Sequence, residues 1–187
     1  MSYAGGVSLG LSCLSFHSFF AGVLHGDFHD ENIIIKTSVS RHSCSALSVS
    51  PDTPNMISKV SQISGVIDLG DVDYACIVED VATCLMFFTV ETKLHPADTH
   101  WLDIGGHLLA GYFRHCSLSA LEWQCLKTLV MSRYVNSFLI GCHSATHDPT
   151  NAYACGSGRW STCMEEFWQM TDSAICSHLQ TIRDKYA

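Results

Sequence analysis

The stretch His25-Gly26-Asp27-Phe28-His29-Asp30-Glu31-Asn32, followed at once by Ile33-Ile34-Ile35, places an aspartate and an asparagine five residues apart at the mouth of an apolar run. A second acidic stretch, Ile67-Asp68-Leu69-Gly70-Asp71, ends another apolar approach that is rich in β-branched residues. Runs of this kind are typical of β-strands. The two stretches therefore predict two strands joined by a long hairpin connection, with their polar residues at the strand ends.

The polar residues of the two stretches favour phosphoryl transfer. A loop carboxylate can accept the proton of an attacking hydroxyl, while an amide oxygen and a second carboxylate bind a divalent cation. We therefore predict Asp27 as the catalytic base and Asn32 and Asp68 as Mg²⁺ ligands. Each residue alone could instead serve only a turn or a strand-end cap. The combination of all three is what favours the site.

Four neighbouring residues are assigned supporting or open roles. His25 is expected to hydrogen-bond the backbone and fix the loop. His29 can face a substrate or fold back on the loop, and Asp71 can bind a second metal ion or a cationic substrate. Asp80 lies among apolar neighbours, where a carboxylate is costly unless it is hydrogen-bonded. We expect Asp80 to accept hydrogen bonds from the loop and hold it in place.

The rest of the chain predicts an α+β protein with a mostly helical body. Strands are expected over residues 21–24, 32–36 and 60–67, with an exposed serine-rich loop over 38–58. Helical periodicity begins at Ile77, and Asp73 is expected to cap a helix that starts near Tyr74. A shorter helix is expected over 104–113. Ser119 and Glu122 form a capping box ahead of a third helix that Pro149 closes. A final helix is predicted from Trp160 to Leu179.

Composition bounds the class of protein. The chain has 187 residues, which suits one domain or a large piece of a two-domain protein. Its formal net charge of -8 argues against binding nucleic acid. Ten cysteines occur without any C-x-x-C spacing, and the chain has no N-x-S/T sequon. We therefore expect mostly buried thiols and a cytoplasmic location.

Two other readings of the sequence are weaker. Residues 7–24 contain no charged side chain, as a membrane or signal segment would. They lack a basic flank and run straight into the polar loop, so a buried helix and strand is expected instead. A zinc protein is the least favoured class, because seven histidines outside the loop show no ligand spacing: His95, His100, His107, His115, His143, His147 and His178.

The motifs resemble those of the aminoglycoside phosphotransferase family, small-molecule kinases with a protein-kinase-like fold. The resemblance is carried by His25-Gly26-Asp27-x-His29-x-x-Asn32, by Ile67-Asp68-x-Gly70-Asp71 and by Glu79-Asp80-Val81-Ala82. It implies the C-terminal lobe of that fold, with Asp27 as base and Asn32 and Asp68 as Mg²⁺ ligands. It also implies GTP or ATP as phosphate donor, a small-molecule hydroxyl as acceptor, and no nucleic-acid or membrane partner.

Within the family, residues 22–182 look most like the kinases that phosphorylate 5-hydroxy-L-lysine with GTP in lysine breakdown. Ser64-Gly65-Val66-Ile67-Asp68-Leu69-Gly70-Asp71-Val72, Gly105-Gly106-His107-Leu108-Leu109-Ala110-Gly111-Tyr112, Ser132-Arg133 and Gly158-Arg159-Trp160 carry this likeness. Substrate and donor follow from the resemblance alone, because nothing in the spacing or the composition selects them.

The chain departs from the family at its N-terminus. Such kinases have an N-terminal lobe with a phosphate-covering loop and a lysine on a strand. Here the glycine-rich stretch Gly5-Gly6-Val7-Ser8-Leu9-Gly10 lies too close to Asp27 for a lobe to fit between them. Lys36 follows the catalytic loop and cannot be the strand lysine. We expect residues 1–21 to be a divergent apolar segment and 22–187 a C-terminal lobe with impaired activity. The alternatives are an inactive truncated form acting as a binding or regulatory module, or a kinase for another small alcohol such as choline or homoserine.

Overall fold

The computed structural model describes residues 19–41, 57–94, 100–151 and 158–186. Predictions that fall on residues 1–18, and those for the middle of the serine-rich connection at 42–56, lie outside the described residues. The described part forms four strands and five helices. In chain order they are β1 (Ala21–Leu24), β2 (Ile33–Arg41), β3 (Ile57–Val66), β4 (Asp73–Cys76), α1 (Ile77–Leu94), α2 (Asp103–Tyr112), α3 (Ala120–His147), α4 (Gly158–Gln169) and α5 (Asp172–Tyr186).

The predicted α+β class is confirmed, with two small antiparallel sheets beside a mostly helical body. One sheet is the hairpin of β2 and β3, which pair from Ile33 with Val66 to Arg41 with Ile57. Strand structure therefore extends further than predicted into the serine-rich region. The side chains at 34–38 and 61–64 are exposed, so these parts of the ribbon have no buried face that would impose an apolar pattern. The likeness to a protein-kinase lobe stays a prediction.

The second sheet pairs β1 with β4, which the sequence analysis did not predict. Helix α1 starts at Ile77, where the helical periodicity begins. The predicted helix cap at Asp73 is wrong, because Asp73 begins β4 opposite Leu24. The Asp73 carboxylate accepts a hydrogen bond from the N–H of Tyr74, at 2.7 Å. Pairing with a strand about fifty residues earlier in the chain decides the conformation here, and local sequence signals do not report it.

The helical body holds the hydrophobic core, with α1 packed against β1, α2, α3 and α4. The largest fully buried apolar side chains include Tyr134, Phe167, Leu85, Met86, Leu102, Leu109, Leu126, Ile175 and Leu179. The α-helices that the structure describes, α1 to α5, thus contribute side chains to one common core. The site loop described below is attached to the N-terminal end of this buried helix.

The prediction of a single final helix from Trp160 to Leu179 is wrong, because this region forms two helices, α4 and α5. The break falls at Met170 and Thr171. The Lys127 ammonium donates to the carbonyl oxygens of Trp168 and Met170 at 3.0 and 2.6 Å, and the Thr171 hydroxyl accepts from the N–H of Ala174 at 3.2 Å. These contacts satisfy the backbone groups that the interruption exposes. Apolar periodicity continues across the break and could not reveal it.

The cysteines are less buried than predicted. Cys84 and Cys163 are buried, but Cys76, Cys116, Cys125 and Cys176 are half-buried and Cys142 is exposed. Burial raises the pKa of the Cys84 thiol well above its usual value. Because the thiolate is the reactive form, Cys84 is a packing residue.

The predicted capping box at the start of α3 is confirmed. The Ser119 hydroxyl accepts from the N–H of Glu122 at 3.2 Å, and the Glu122 carboxylate accepts from the N–H of Ser119 at 2.6 Å. Glu122 is fully buried and also accepts from the N–H of Phe20, at 2.9 Å. One carboxylate therefore caps α3 and anchors the chain that enters β1, a long-range role that the local motif does not indicate.

Replacing Glu122 with alanine is expected to lower the free energy of unfolding by about 3 kcal/mol, because the partly buried N–H groups of Phe20 and Ser119 lose a charged acceptor. Urea denaturation followed by circular dichroism measures the change. Ser119→Ala removes one cap bond and should cost about 1 kcal/mol. The exposed Glu165→Ala on α4 should change stability by less than about 0.5 kcal/mol. Equal losses in Glu122→Ala and Glu165→Ala would contradict the anchoring role.

Candidate active site

The candidate site is the loop that leaves β1 at Leu24 and enters β2 through a short 3-10 helix, Asp30–Asn32. Gly26 sets its path with a φ of 84°, in the left-handed region. A Cβ atom on Gly26 would lie 2.3 Å from the carbonyl oxygen of Asp71. The backbone of the first motif therefore passes directly against the backbone of the second, an approach that only glycine permits.

Asp80 anchors the loop to the first turn of α1. Its carboxylate accepts from the N–H of His25 at 3.2 Å and from the N–H of Gly26 at 3.0 Å, and its side chain is buried. Both hydrogen bonds are of the kind that the sequence analysis expects for this residue. A carboxylate in the first turn of a helix is also stabilised by the positive end of the helix dipole.

Asn32 is oriented by the loop itself. It is buried, and its side-chain nitrogen donates to the carbonyl oxygen of Asp27 at 2.9 Å. This hydrogen bond fixes the plane of the amide and leaves the amide oxygen as the atom that can bind a cation. It also explains the spacing of five residues, because the asparagine must reach back over the short 3-10 helix.

The second motif is tied to the first by two hydrogen bonds at Ile67. Its N–H donates to the carbonyl oxygen of Asn32 at 3.0 Å, and its carbonyl oxygen lies 3.0 Å from Nε2 of His25. This contact joins the His25 ring to the backbone of the second motif, and its role in fixing the loop stays a prediction. Asp68 follows directly, and Asp71 ends a short 3-10 helix, Leu69–Asp71, whose backbone faces Gly26.

Asp68 has a strained backbone. Its φ of 59° and ψ of 65° lie in the left-handed region, and it is the non-glycine residue with positive φ in the described part of the chain. This conformation costs an ordinary residue about 1–2 kcal/mol, and aspartate is one of the few that tolerate it. Strain of this type concentrates at functional sites, where the rest of the structure holds it in place.

His29 folds back on the loop, which is one of the two orientations that its sequence position left open. Its ring is buried and stacks on Phe87 at a centroid distance of 4.7 Å. Nε2 lies 3.6 Å from Oδ2 of Asp27, and Nδ1 lies 3.8 Å from Oδ1 of Asp30. The imidazole therefore sits between two carboxylates and restricts the position of the Asp27 side chain. A direct role of His29 toward a substrate stays a prediction.

Arg133 on α3 is a site residue to which the sequence analysis gave no role. Its guanidinium donates to the carbonyl oxygen of Gly26 at 3.5 Å. Burial raises the pKa of the nearby Glu79 carboxyl, and the Arg133 cation opposes that rise. Arg133 lies more than one hundred residues after Gly26 in the sequence, so no local motif predicts their contact. The one sequence signal for Arg133 is that Ser132-Arg133 belongs to the segments that carry the family likeness.

The donor set of the loop suits a hard divalent cation. The Asn32 amide oxygen and the Asp68 carboxylate are oxygen ligands, which Mg²⁺ prefers, and magnesium needs only one or two protein groups when phosphates supply the others. Asp27 remains partly exposed, with 32 % of its side-chain surface accessible, so a substrate hydroxyl can reach it. The three residues are carried on two segments that hydrogen-bond each other. Their roles in catalysis stay predictions.

Comparison with known proteins finds similarity to hydroxylysine kinases. Over 160 residues, 86 % of this chain, it is 29 % identical to the hydroxylysine kinase of Mus musculus and 29 % identical to that of Bos taurus. The hydroxylysine kinase of Xenopus laevis is 26 % identical over the same length. In each case the match covers 34 % of the relative, so the chain spans about a third of the length of these curated relatives.

These similarities support a kinase-like relationship for the chain. No family model matches it, and no solved structure matches it. Membership of the aminoglycoside phosphotransferase family therefore stays a prediction that the loop motifs carry. Among the helices that the structure describes, none is both long and apolar enough to cross a membrane.

Replacing Asp80 with asparagine is expected to loosen the loop. The N–H groups of His25 and Gly26 each donate to a separate carboxylate oxygen, and an amide has only one oxygen to accept them. The loss of about 2 kcal/mol should speed amide hydrogen exchange at His25 and Gly26 by about 30-fold. Exchange measured residue by residue by NMR gives the result. Glu165→Gln, at an exposed glutamate on α4, is the control. Unchanged exchange in Asp80→Asn would show that the loop is held by other contacts.

Proposed function

We propose that this chain carries the catalytic loop of a small-molecule kinase, which transfers the γ-phosphate of GTP to the side-chain hydroxyl of 5-hydroxy-L-lysine. The observation that carries the proposal is the direct joining of the two motifs. Asn32 and Ile67 share a backbone hydrogen bond of 3.0 Å, and Gly26 packs against Asp71. These contacts support the proposal, because the residues that we propose as base and cation ligands lie on adjacent segments and phosphoryl transfer needs such groups close together.

In this proposal Asp27 accepts the proton of the substrate hydroxyl as its oxygen attacks the γ-phosphorus. Asn32 and Asp68 hold Mg²⁺, which, when bound, neutralises charge on the transferred phosphoryl group. His29 and the Asn32 amide keep the base in place, one beside its carboxylate and the other on its backbone carbonyl. Asp80 holds the backbone of the loop in place through its hydrogen bonds to His25 and Gly26.

The acceptor is supported by charge as well as by the named relatives. Hydroxylysine carries an ammonium group on its side chain, and exposed carboxylates surround the loop at Asp30, Glu31, Asp68, Asp71 and Asp73. A cationic substrate is favoured by such a surface, and a nucleotide reaches it as a magnesium complex. Asp71, which lies against Gly26, is the carboxylate that we propose for the substrate ammonium or for a second metal ion.

The surface beside the loop suggests how active the isolated chain is. Several large apolar side chains around the two motifs are exposed: Val23, Ile67, Leu69, Val72 and Tyr74. The chain also spans about a third of its curated relatives, at 34 %. We therefore expect little turnover from the chain alone and full activity where these side chains are covered.

A chimera tests the proposal. The 160 matched residues of this chain replace the corresponding part of the Mus musculus hydroxylysine kinase, and GTP-dependent phosphorylation of 5-hydroxy-L-lysine is measured with Mg²⁺ present. Activity that depends on Asp27 supports the proposal. A folded chimera without activity, or one that prefers homoserine or choline in a substrate panel, overturns the assignment of this substrate.

The second candidate is a binding or regulatory module without turnover, favoured by the exposed apolar side chains around the two motifs. It predicts that the chain binds 5-hydroxy-L-lysine or Mg²⁺ but transfers no phosphate, even as part of the chimera. Isothermal titration calorimetry of the isolated chain, run beside the kinase assay of the chimera, separates the two candidates.

A further inference from the structure

Away from the loop, two helices bring together a group of metal-ligand side chains. His100 lies just before α2, Asp103 in its first turn, and His178 on α5. One ligand atom from each residue lies within 4.8 Å of the others. We propose that His100, Asp103 and His178 bind a divalent transition-metal ion of the Zn²⁺ class, which links α5 to the start of α2.

The contact between Asp103 and His178 is already made. Nε2 of His178 lies 2.6 Å from Oδ1 of Asp103, and the rings of His100 and His178 have centroids 4.7 Å apart. Zinc bonds of about 2.0–2.2 Å in tetrahedral geometry place two ligand atoms roughly 3.3 Å apart. The ion would replace the hydrogen bond between His178 and Asp103, whose two atoms would move apart by about 0.7 Å. The third ligand atom, which lies within 4.8 Å, would move closer by up to about 1.5 Å.

The backbone that carries these residues is held rigidly. A Cβ atom on Gly105 would lie 2.7 Å from Cδ2 of Leu179, and one on Gly106 would lie 2.4 Å from Cβ of Ile182. The two glycines therefore let α2 and α5 approach closely beside the cluster. A preorganised pair of helices lowers the entropy lost when the ion binds, because the ligands need little rearrangement.

Ligand type decides which cation fits. Two imidazoles and a carboxylate suit zinc and similar borderline ions, whereas Mg²⁺ and Ca²⁺ prefer oxygen ligands alone. His100 is exposed, and the side chains of His178 and Asp103 are 30 % and 21 % accessible, so an ion and a water ligand can reach the cluster. The N–H of Leu102 donates to Nδ1 of His100 at 3.2 Å, which helps to orient the His100 ring.

Zinc titration of the full chain, under a reducing agent that does not bind metal, tests the site. We expect one Zn²⁺ per chain by isothermal titration calorimetry. A zinc concentration one hundred times the Kd should raise Tm by about 5–10 °C, because the ion binds only the folded state. Removing a ligand should weaken binding at least about 100-fold in His100→Ala and His178→Ala and at least about tenfold in Asp103→Asn.

Two controls make the outcome specific. His115→Ala removes an exposed histidine just after α2, and His143→Ala breaks the pair of His143 and His147, whose rings lie 4.4 Å apart on α3. Both should bind zinc within about threefold of the unaltered chain, the spread usual for distant sites. His100 takes no part in the ion pair, so His100→Ala keeps the fold even if His178→Ala does not. Zinc binding that survives His100→Ala unchanged, or the absence of stoichiometric zinc in the unaltered chain, overturns the proposal.

Discussion

Replacing Asp27 with asparagine in the active chimera is expected to lower kcat for 5-hydroxy-L-lysine phosphorylation by about 1,000-fold. The amide has the size of the carboxylate but cannot accept the hydroxyl proton. The backbone carbonyl of Asp27, which accepts from the Asn32 side chain at 2.9 Å, is unchanged. The loop geometry should therefore survive, so that the loss falls on kcat while the apparent KM for GTP changes less than about threefold.

The control for this prediction is Asp30→Asn. Asp30 lies three residues further along, is exposed, and faces the other ring nitrogen of His29 at 3.8 Å. Asp30→Asn removes one negative charge from the same loop and leaves Asp27 unchanged, so kcat should fall less than about fivefold. Comparable losses in the two variants would mean that loop charge, and not proton acceptance by Asp27, governs the rate. Turnover that survives Asp27→Asn would remove Asp27 from the role of base.

Replacing Gly26 with alanine is expected to lower the free energy of unfolding by about 4 kcal/mol. A left-handed φ of 84° costs an alanine about 1–2 kcal/mol by itself. The new Cβ would also lie 2.3 Å from the Asp71 carbonyl oxygen and 3.0 Å from the Asp71 carbonyl carbon, and backbone atoms cannot move aside as a flexible side chain can. Relief of the clash requires the two motifs to separate, so kinase activity of the chimera should fall as well.

Gly111→Ala is the matched control for Gly26→Ala. Gly111 lies in α2, is exposed, and would have no atom within 4 Å of an added Cβ. Because alanine is the better helix former, this variant should gain about 0.5–1 kcal/mol. Urea denaturation of both variants gives the comparison. A Gly26→Ala protein as stable as the unaltered chain would show that the close approach to Asp71 is not needed for folding.

Local patterns were enough to locate much of this fold. Short apolar and β-branched runs located β1 and the parts of β2 and β3 nearest the site, and periodicity located the helices of the body. Both kinds of pattern report short-range properties of one strand or one helix face. The box of Ser119 and Glu122 was equally readable, since its two residues bond each other. The candidate site was predictable as a set of residues, because its motifs are short and their residue types carry the chemistry.

Contacts between distant parts of the chain decided the rest. The sequence alone determined which residues are able to act as a base, as cation ligands and as caps: Asp27, Asn32, Asp68 and Glu122. Only the tertiary structure decided that β4 forms opposite β1, that Lys127 binds the carbonyl groups at the end of α4, that Arg133 reaches the loop, and that His100, Asp103 and His178 meet. The physical reason is that hydrogen bonds and packing between remote segments outweigh the small differences in local propensity that a sequence pattern records.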